Sequence, residues 1–128
     1  MKMNPVIHFE MPYKNSKRVA GFYAKVFGWQ NNIMGADMGN YIVTITTEST
    51  KKGPKKPGTI NGGFFPKTKE NPVSSFVIGV ANIKEHMKKV TKAGGKVLGK
   101  PIEIPGVGWY VSFTDTEGNR VSILQPSR

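Results

Sequence analysis

The chain repeats itself, and the repeat limits what it can fold into. Tyr41-Ile42 with Thr47-Glu48 returns as Tyr110-Val111 with Thr116-Glu117, 69 positions on, and Gly28 returns as Gly94, 66 positions on. Gly58 to Pro66 runs alongside Gly118 to Pro126 at an offset of 60. The offsets differ because the segment Lys51-Lys52-Gly53-Pro54-Lys55-Lys56 lengthens only the first half. A unit of about 60 residues cannot bury a sheet face well by itself, so two such units are expected to pack within one domain.

Each half reads in the same order. A strand pattern, Val6 to Met11, precedes a helix with apolar positions Val19, Phe22, Tyr23, Val26 and Phe27, the stripe of a helix lying on a sheet. Asn15 or Ser16 can cap that helix and Gly28 stops it. Strands follow from Trp29 towards Met34, at Tyr41 to Thr47 and at Gly58 to Phe65, where paired glycines hint at a bulge or a close backbone approach. In the second half a strand at Ser74 to Val80 leads to the capping box Asn82-Ile83-Lys84-Glu85 and a helix burying Ile83, Met87, Val90 and Ala93. Three more strands are expected: Lys96 to Leu98 with an extension to Ile104, Trp109 to Thr114, and Asn119 to Gln125. The fold class is therefore α+β, with two βαβββ modules at about 1–66 and 73–128 joined by a polar linker, 67–72.

Composition removes several kinds of chemistry. With no cysteine there are no disulfides, thiolate metal sites or cysteine nucleophiles, which is compatible with a reducing cytoplasm. No run of eighteen apolar residues and no signal-like start is present, so a soluble cytoplasmic protein without a membrane partner is expected. The formal charge of +11 comes mostly from lysines, gathered in the 51–56 loop and at Lys84, Lys88, Lys89 and Lys92. These read as solvated faces; recognition of nucleic acid would call for interleaved arginines and aromatics, although a basic anion or nucleic-acid binding module stays as a further alternative. Phosphate-loop, dinucleotide and nucleophile-elbow motifs are absent.

Alternation along the first strand puts Ile7, Phe9 and Met11 on one face and Val6, His8 and Glu10 on the other. An imidazole and a carboxylate about 6–7 Å apart along a strand suit an acid/base pair, the carboxylate raising the proton affinity of the imidazole. The plain alternative is a structural histidine with a glutamate paired to a lysine.

Five stretches carry a family likeness: residues 7–11 (Ile-His-Phe-Glu-Met), residues 21–29 (Gly-Phe-Tyr-Ala-Lys-Val-Phe-Gly-Trp), residues 61–67 (Asn-Gly-Gly-Phe-Phe-Pro-Lys), residues 104–110 (Ile-Pro-Gly-Val-Gly-Trp-Tyr) and residues 115–119 (Asp-Thr-Glu-Gly-Asn). With the duplication they make the chain resemble the vicinal oxygen chelate superfamily of glyoxalases, bleomycin-resistance proteins and extradiol dioxygenases, most nearly its small glyoxalase-like members. The resemblance implies paired half-barrel sheets around a cavity with helices outside, a homodimer, and a small-molecule ligand. In metal-dependent relatives four ligands come from the first and last strands of each module. Here His8 matches the first position, Gly62 and Ser122 match the last-strand positions, and Ser74 or Ser75 the remaining one, with the facing of Phe76 and Ile78 favouring Ser75.

One histidine with glycine and two serines is too few donors for a divalent ion. The implied function is binding of a small organic molecule without a complete metal site or other cofactor, for sequestration or for proton transfer through His8 and Glu10. The alternative is a divalent-metal-dependent lyase, isomerase or dioxygenase whose coordination is completed by a partner chain, water or substrate. Phe64, Ser75, Trp109 and Ser122 are the candidate ligand contacts, with core packing an equal alternative for Phe64 and for Trp109; Tyr110 follows the same Gly-rich loop as Trp109. Asp115 and Glu117 read as turn formers and His86 as a surface residue.

Overall fold

The computed structural model describes residues 2–127. It contains two βαβββ modules, the first carrying an inserted hairpin, in the chain order β1 (Val6–Tyr13), α1 (Ser16–Phe27), β2 (Gln30–Ile33), a short 3-10 turn (Ala36–Met38), β3 (Ile42–Ile45), β4 (Ser49–Thr50), β5 (Gly53–Pro54) and β6 (Asn61–Pro66), then β7 (Ser75–Gly79), α2 (Ile83–Lys92), β8 (Lys96–Ile104), β9 (Gly108–Thr114) and β10 (Arg120–Pro126). Among the described residues no helix is long and apolar enough to cross a membrane.

One compact unit spans His8–Ser74. Its sheet runs β2-β3-β6-β1, with β1 parallel to β6 and the other neighbours antiparallel. Helix α1 begins where the Asn15 side chain accepts the Arg18 N–H at 2.9 Å and ends at Gly28, whose N–H donates to the Ala24 carbonyl and whose left-handed φ of 72° lets the following Trp29 N–H donate to the Tyr23 carbonyl. In the lysine-rich segment Lys51 and Lys52 make the exposed turn between β4 and β5, and Lys55, just after β5, bonds Glu48.

The helix meets its sheet through a narrower face than its stripe predicts. Tyr23 stacks on Trp29 at 4.8 Å and tilts against Phe64 at 5.3 Å, and Phe9 packs against Trp29 and Phe64. Phe22, Val26 and Phe27 are instead 54%, 53% and 61% exposed. The five apolar positions span roughly 140° of the helix at 3.6 residues per turn, with Phe22 and Phe27 at its opposite margins and Tyr23 between them, so contact centres on Tyr23 and both margins stay largely in solvent. The expectation that all five lie on the sheet is corrected accordingly.

The second unit comprises residues 75–127 and the N-terminal arm, residues 2–7. Its sheet runs β7-β10-β9-β8, parallel between β7 and β10 and antiparallel elsewhere, which repeats the first unit's plan. The arm is tied in by the Gly79 N–H donating to the Pro5 carbonyl and by Ile7 packing on Gly79. Asn82 caps α2 by accepting the Glu85 N–H at 3.1 Å. Val80, Ile83, Val111 and Ile123 form the core under α2, with Ile78, Met87, Val97 and Phe113 packed against it. β8 takes a register shift between Leu98 and Ile102, which accommodates its extension to Ile104.

Candidate functional site

In the first unit the ladder fixes which residues share a face. His8 pairs with Asn61, Phe9 with Gly62, Glu10 with Gly63 and Met11 with Phe64. Phe9 lies in the aromatic cluster under α1, so Gly62 and Phe64 belong to the helix side and His8, Glu10 and Gly63 to the opposite side. Phe64, 1% exposed and packed on Phe9 and Tyr23, is core; pocket lining gives way to the alternative of core packing.

Gly62 needs the same correction. A Cβ there would strike the Phe9 carbonyl and ring, so it lies on the α1 side and cannot be a ligand position on the His8 face. Offsets between the halves place Ser122 opposite Gly62, but β10 presents Ser122 on the side away from α2, so its counterpart on β6 is an odd number of residues away, Asn61 or Gly63. A slip of one residue exchanges the faces of a strand. Asn61 is occupied elsewhere: its Oδ1 accepts the Thr46 N–H at 2.9 Å and its Nδ2 donates to Ser49 Oγ at 2.8 Å.

Gly63 opens a path across β6. A Cβ there would collide with the end of the Tyr41 ring, so the absence of one lets Tyr41, next to β3, lie over the glycine and reach β1. Its hydroxyl donates to Glu10 Oε2 at 3.0 Å, and Glu10 is only 8% exposed. Tyr41 is absent from the sequence-derived site; the signal for it is the glycine pair, whose close approaches turn out to fall on both faces.

The His8 side chain makes no hydrogen bond or ion pair among the described residues. Burial pushes its pKa below the ordinary value, so the imidazole is neutral at neutral pH. This reverses the expectation that Glu10 would raise it: desolvation of the imidazolium is the dominant effect.

The second unit places Ser75 at the start of β7, on the face shared with Val77 and turned from Ile78 and the α2 core. Ser122, the ladder partner of Val77, is 2% exposed and sits at the middle of three hydroxyls: Tyr110 Oη lies 2.7 Å and Ser112 Oγ 2.8 Å from its Oγ. Trp109 has the parity of Val111 and Phe113 and so points to the α2 side of the strand, 39% exposed; Tyr110 is the aromatic on the Ser122 side. His86 bridges Asn4 and the Asn82 carbonyl. Asp115 accepts the Asn119 side-chain amide and the N–H groups of Asn119 and Glu117, which holds its carboxyl below the usual range and fixes the turn.

Among the described residues no three His, Cys, Asp or Glu side chains stand together as metal ligands.

Comparison with known proteins follows this geometry. The description Glyoxalase/Bleomycin resistance protein/Dioxygenase superfamily matches residues 6–123. A glyoxylase-like domain-containing protein of Didymella fabae is 35% identical over 121 residues, covering 89% of this chain and 88% of its own. Among solved structures, a methylmalonyl-CoA epimerase superposes with a TM-score of 0.71 at 11% identity, covering 100% of this chain and 99% of the other. A hypothetical protein from Bacillus halodurans C-125 gives 0.69 at 14% identity, with 99% and 97% covered. At those identities the structural likeness speaks for the fold, while the extent of the family match and the Didymella relative speak for descent. The chain belongs to the glyoxalase/bleomycin resistance protein/dioxygenase superfamily.

Proposed function

We propose that the chain binds a small carbonyl-containing organic molecule at the His8–Glu10 face of β1 and moves a proton on it. The observation that carries this reading is a neutral, uncommitted His8 on the same strand face as a Glu10 carboxylate held by the Tyr41 hydroxyl. A neutral imidazole can accept a proton from a carbon beside a carbonyl. The C–H bond breaks, its electron pair forms the enolate, and the proton resides on His8. The Glu10 carboxylate, about 6–7 Å along the strand, favours the resulting imidazolium electrostatically, and Tyr41 fixes its orientation. Return of the proton from His8 to another atom of the enolate isomerises the molecule, whereas inversion of the carbon takes a second proton, delivered by water to the opposite face, with the His8 proton released to solvent. Fold neighbours that carry the name methylmalonyl-CoA epimerase support the isomerase branch as chemistry this fold houses.

The test is deuterium exchange. Small 2-substituted carbonyl acids and thioesters that raise the melting temperature are incubated with protein in D2O and followed by proton NMR. Loss of the signal beside the carbonyl, abolished by His8→Ala and slowed at least tenfold by Glu10→Gln, supports the proposal. Ligands that bind without exchange would establish sequestration in its place, and exchange unaffected by His8→Ala would remove His8 as the base.

A further inference from the structure

The inserted hairpin is the part of the first unit that the repeat does not account for. Its strands, Ser49–Thr50 and Gly53–Pro54, pair with each other and not with the main sheet. Asn61 fixes where the hairpin sits. It is the ladder partner of His8, so its side chain leaves β6 on the face that carries His8. There Asn61 is 9% exposed, donates to Ser49 Oγ at 2.8 Å and accepts the Thr46 N–H at 2.9 Å. Thr46 Oγ1 in turn donates to the Ile60 carbonyl at 2.6 Å, which ties the two ends of the insertion together. The stem of the hairpin is therefore fastened to the His8 face, through the residue that pairs with His8.

What the hairpin brings to that face is charge. Lys51, Lys52, Lys55 and Lys56 are answered only by Glu48, which pairs with Lys55, and no Asp or Glu occurs from residue 49 to residue 69. Lys51, Lys52 and Lys56 are exposed, and their side chains make no ion pair among the described residues. With paired strand residues about 5 Å apart and a rise of about 3.3 Å per residue, their ammonium groups lie on the order of 10–15 Å from His8. An anionic molecule approaching His8 is repelled by the Glu10 carboxylate on the same face, and the hairpin offsets that repulsion. A neutral molecule gains nothing from it.

We infer that the hairpin selects, for the His8–Glu10 face, carbonyl compounds that also bear an anionic group, a carboxylate or a phosphate. The inference rests on the proton-transfer reading for the reacting carbonyl, whereas the preference for anions rests on the hairpin alone.

Alkylation of His8 in the full chain tests this with two small probes. Iodoacetate and iodoacetamide differ in charge and little in size, and the imidazole displaces iodide from either. With no cysteine in the chain, peptide mass spectrometry reads the His8 adduct free of thiol competition. Three net charges at about 10–15 Å in water change the rate for an anion about two- to fivefold at about 0.01 M salt, and less than about twofold at about 0.15 M. The ratio of iodoacetate to iodoacetamide rates at His8 should therefore fall at least about fourfold in Lys51→Glu/Lys52→Glu/Lys56→Glu at the lower salt, because the three net charges change sign. The gap between variant and wild type should narrow as salt rises. The same reversal on α1, Lys17→Glu/Arg18→Glu/Lys25→Glu, lies across the sheet from His8 and should move the ratio less. An unchanged ratio in the hairpin variant, or an equal fall in the α1 variant, overturns the inference. Failure of both reagents to modify His8 overturns it together with the proton-transfer reading. A hairpin-dependent preference for iodoacetate in a protein that exchanges no deuterium overturns that reading alone and upholds the selection of anions.

Discussion

The crossing of Tyr41 over Gly63 can be tested by a double-mutant cycle. In Gly63→Ala the three atoms nearest the new Cβ all belong to the far end of the Tyr41 ring, so the ring can swing away while the strand holds its place. The loss is then chiefly the hydrogen bond from Tyr41 to the buried Glu10 carboxylate. Hydrogen bonds to charged groups contribute about 1.5–3 kcal/mol, and this one lies almost out of solvent, so Gly63→Ala should cost about 2 kcal/mol. In a Tyr41→Ala background there is no ring to displace and no bond to lose. There Gly63→Ala should be neutral, or stabilising by about 0.5–1 kcal/mol through reduced freedom of the unfolded chain. The cycle therefore predicts a coupling energy of about 2 kcal/mol or more, read from urea unfolding followed by the fluorescence of Trp29, which sits in the same unit. Equal costs for Gly63→Ala in the two backgrounds, within about 0.5 kcal/mol, would refute the placement of the ring over the glycine.

Other expectations follow from the same geometry. His8 has a folded-state pKa below its unfolded value near 6.5, so the unfolded chain binds more protons as pH falls below 6.5; the contribution of this group is complete above that pH and declines as pH drops towards the folded value. Urea midpoints between pH 5 and 8 should show this slope in the wild type and a smaller one in His8→Asn, and parallel slopes would count against burial as the cause. Gly108 combines a φ of 146° with a Cβ direction that ends on the Gln125 carbonyl, so Gly108→Ala should cost more than about 3 kcal/mol or prevent folding. Gly99, at φ 96° with open space around it, should cost only the backbone strain, about 1–2 kcal/mol, in the same denaturation assay. Ser122→Ala removes the middle hydroxyl of three and should cost about 1–3 kcal/mol, and Ser112→Ala added to it should cost less than it does alone.

What was legible in the chain is the part governed by local periodicity. The duplicated order of elements, the Asn15 and Asn82 caps and the Gly28 stop all follow from neighbours within four residues of one another, and the helices and strands form there. The face of each residue on β6 is governed differently. It depends on how β6 meets β1, and sequence offsets measured across an insertion of changed length cannot distinguish an even slip from an odd one. That single residue moved Gly62 and Phe64 to the helix side and brought Gly63 to the side of Glu10. The lowered pKa of His8 was hidden for a related reason, since its sequence neighbour Glu10 suggests attraction of a proton while burial is a property of the assembled fold.

Tyr41 shows how such a residue can be sought. It is 31 positions from Glu10 in sequence and reaches it only because β3, β6 and β1 are consecutive in the sheet and the middle strand lacks a side chain at the crossing point. Two glycines in succession on a strand necessarily remove side chains from both faces. Here one gap receives the Phe9 ring under α1 and the other receives Tyr41 above Glu10, so the pair serves packing on one side and the polar site on the other. For a βαβββ unit with a carboxylate on its first strand and a glycine pair on its last, the residue to examine is therefore the aromatic that opens the strand on the far side of the pair. Its hydroxyl has both the reach and the cleared path to hold that carboxylate.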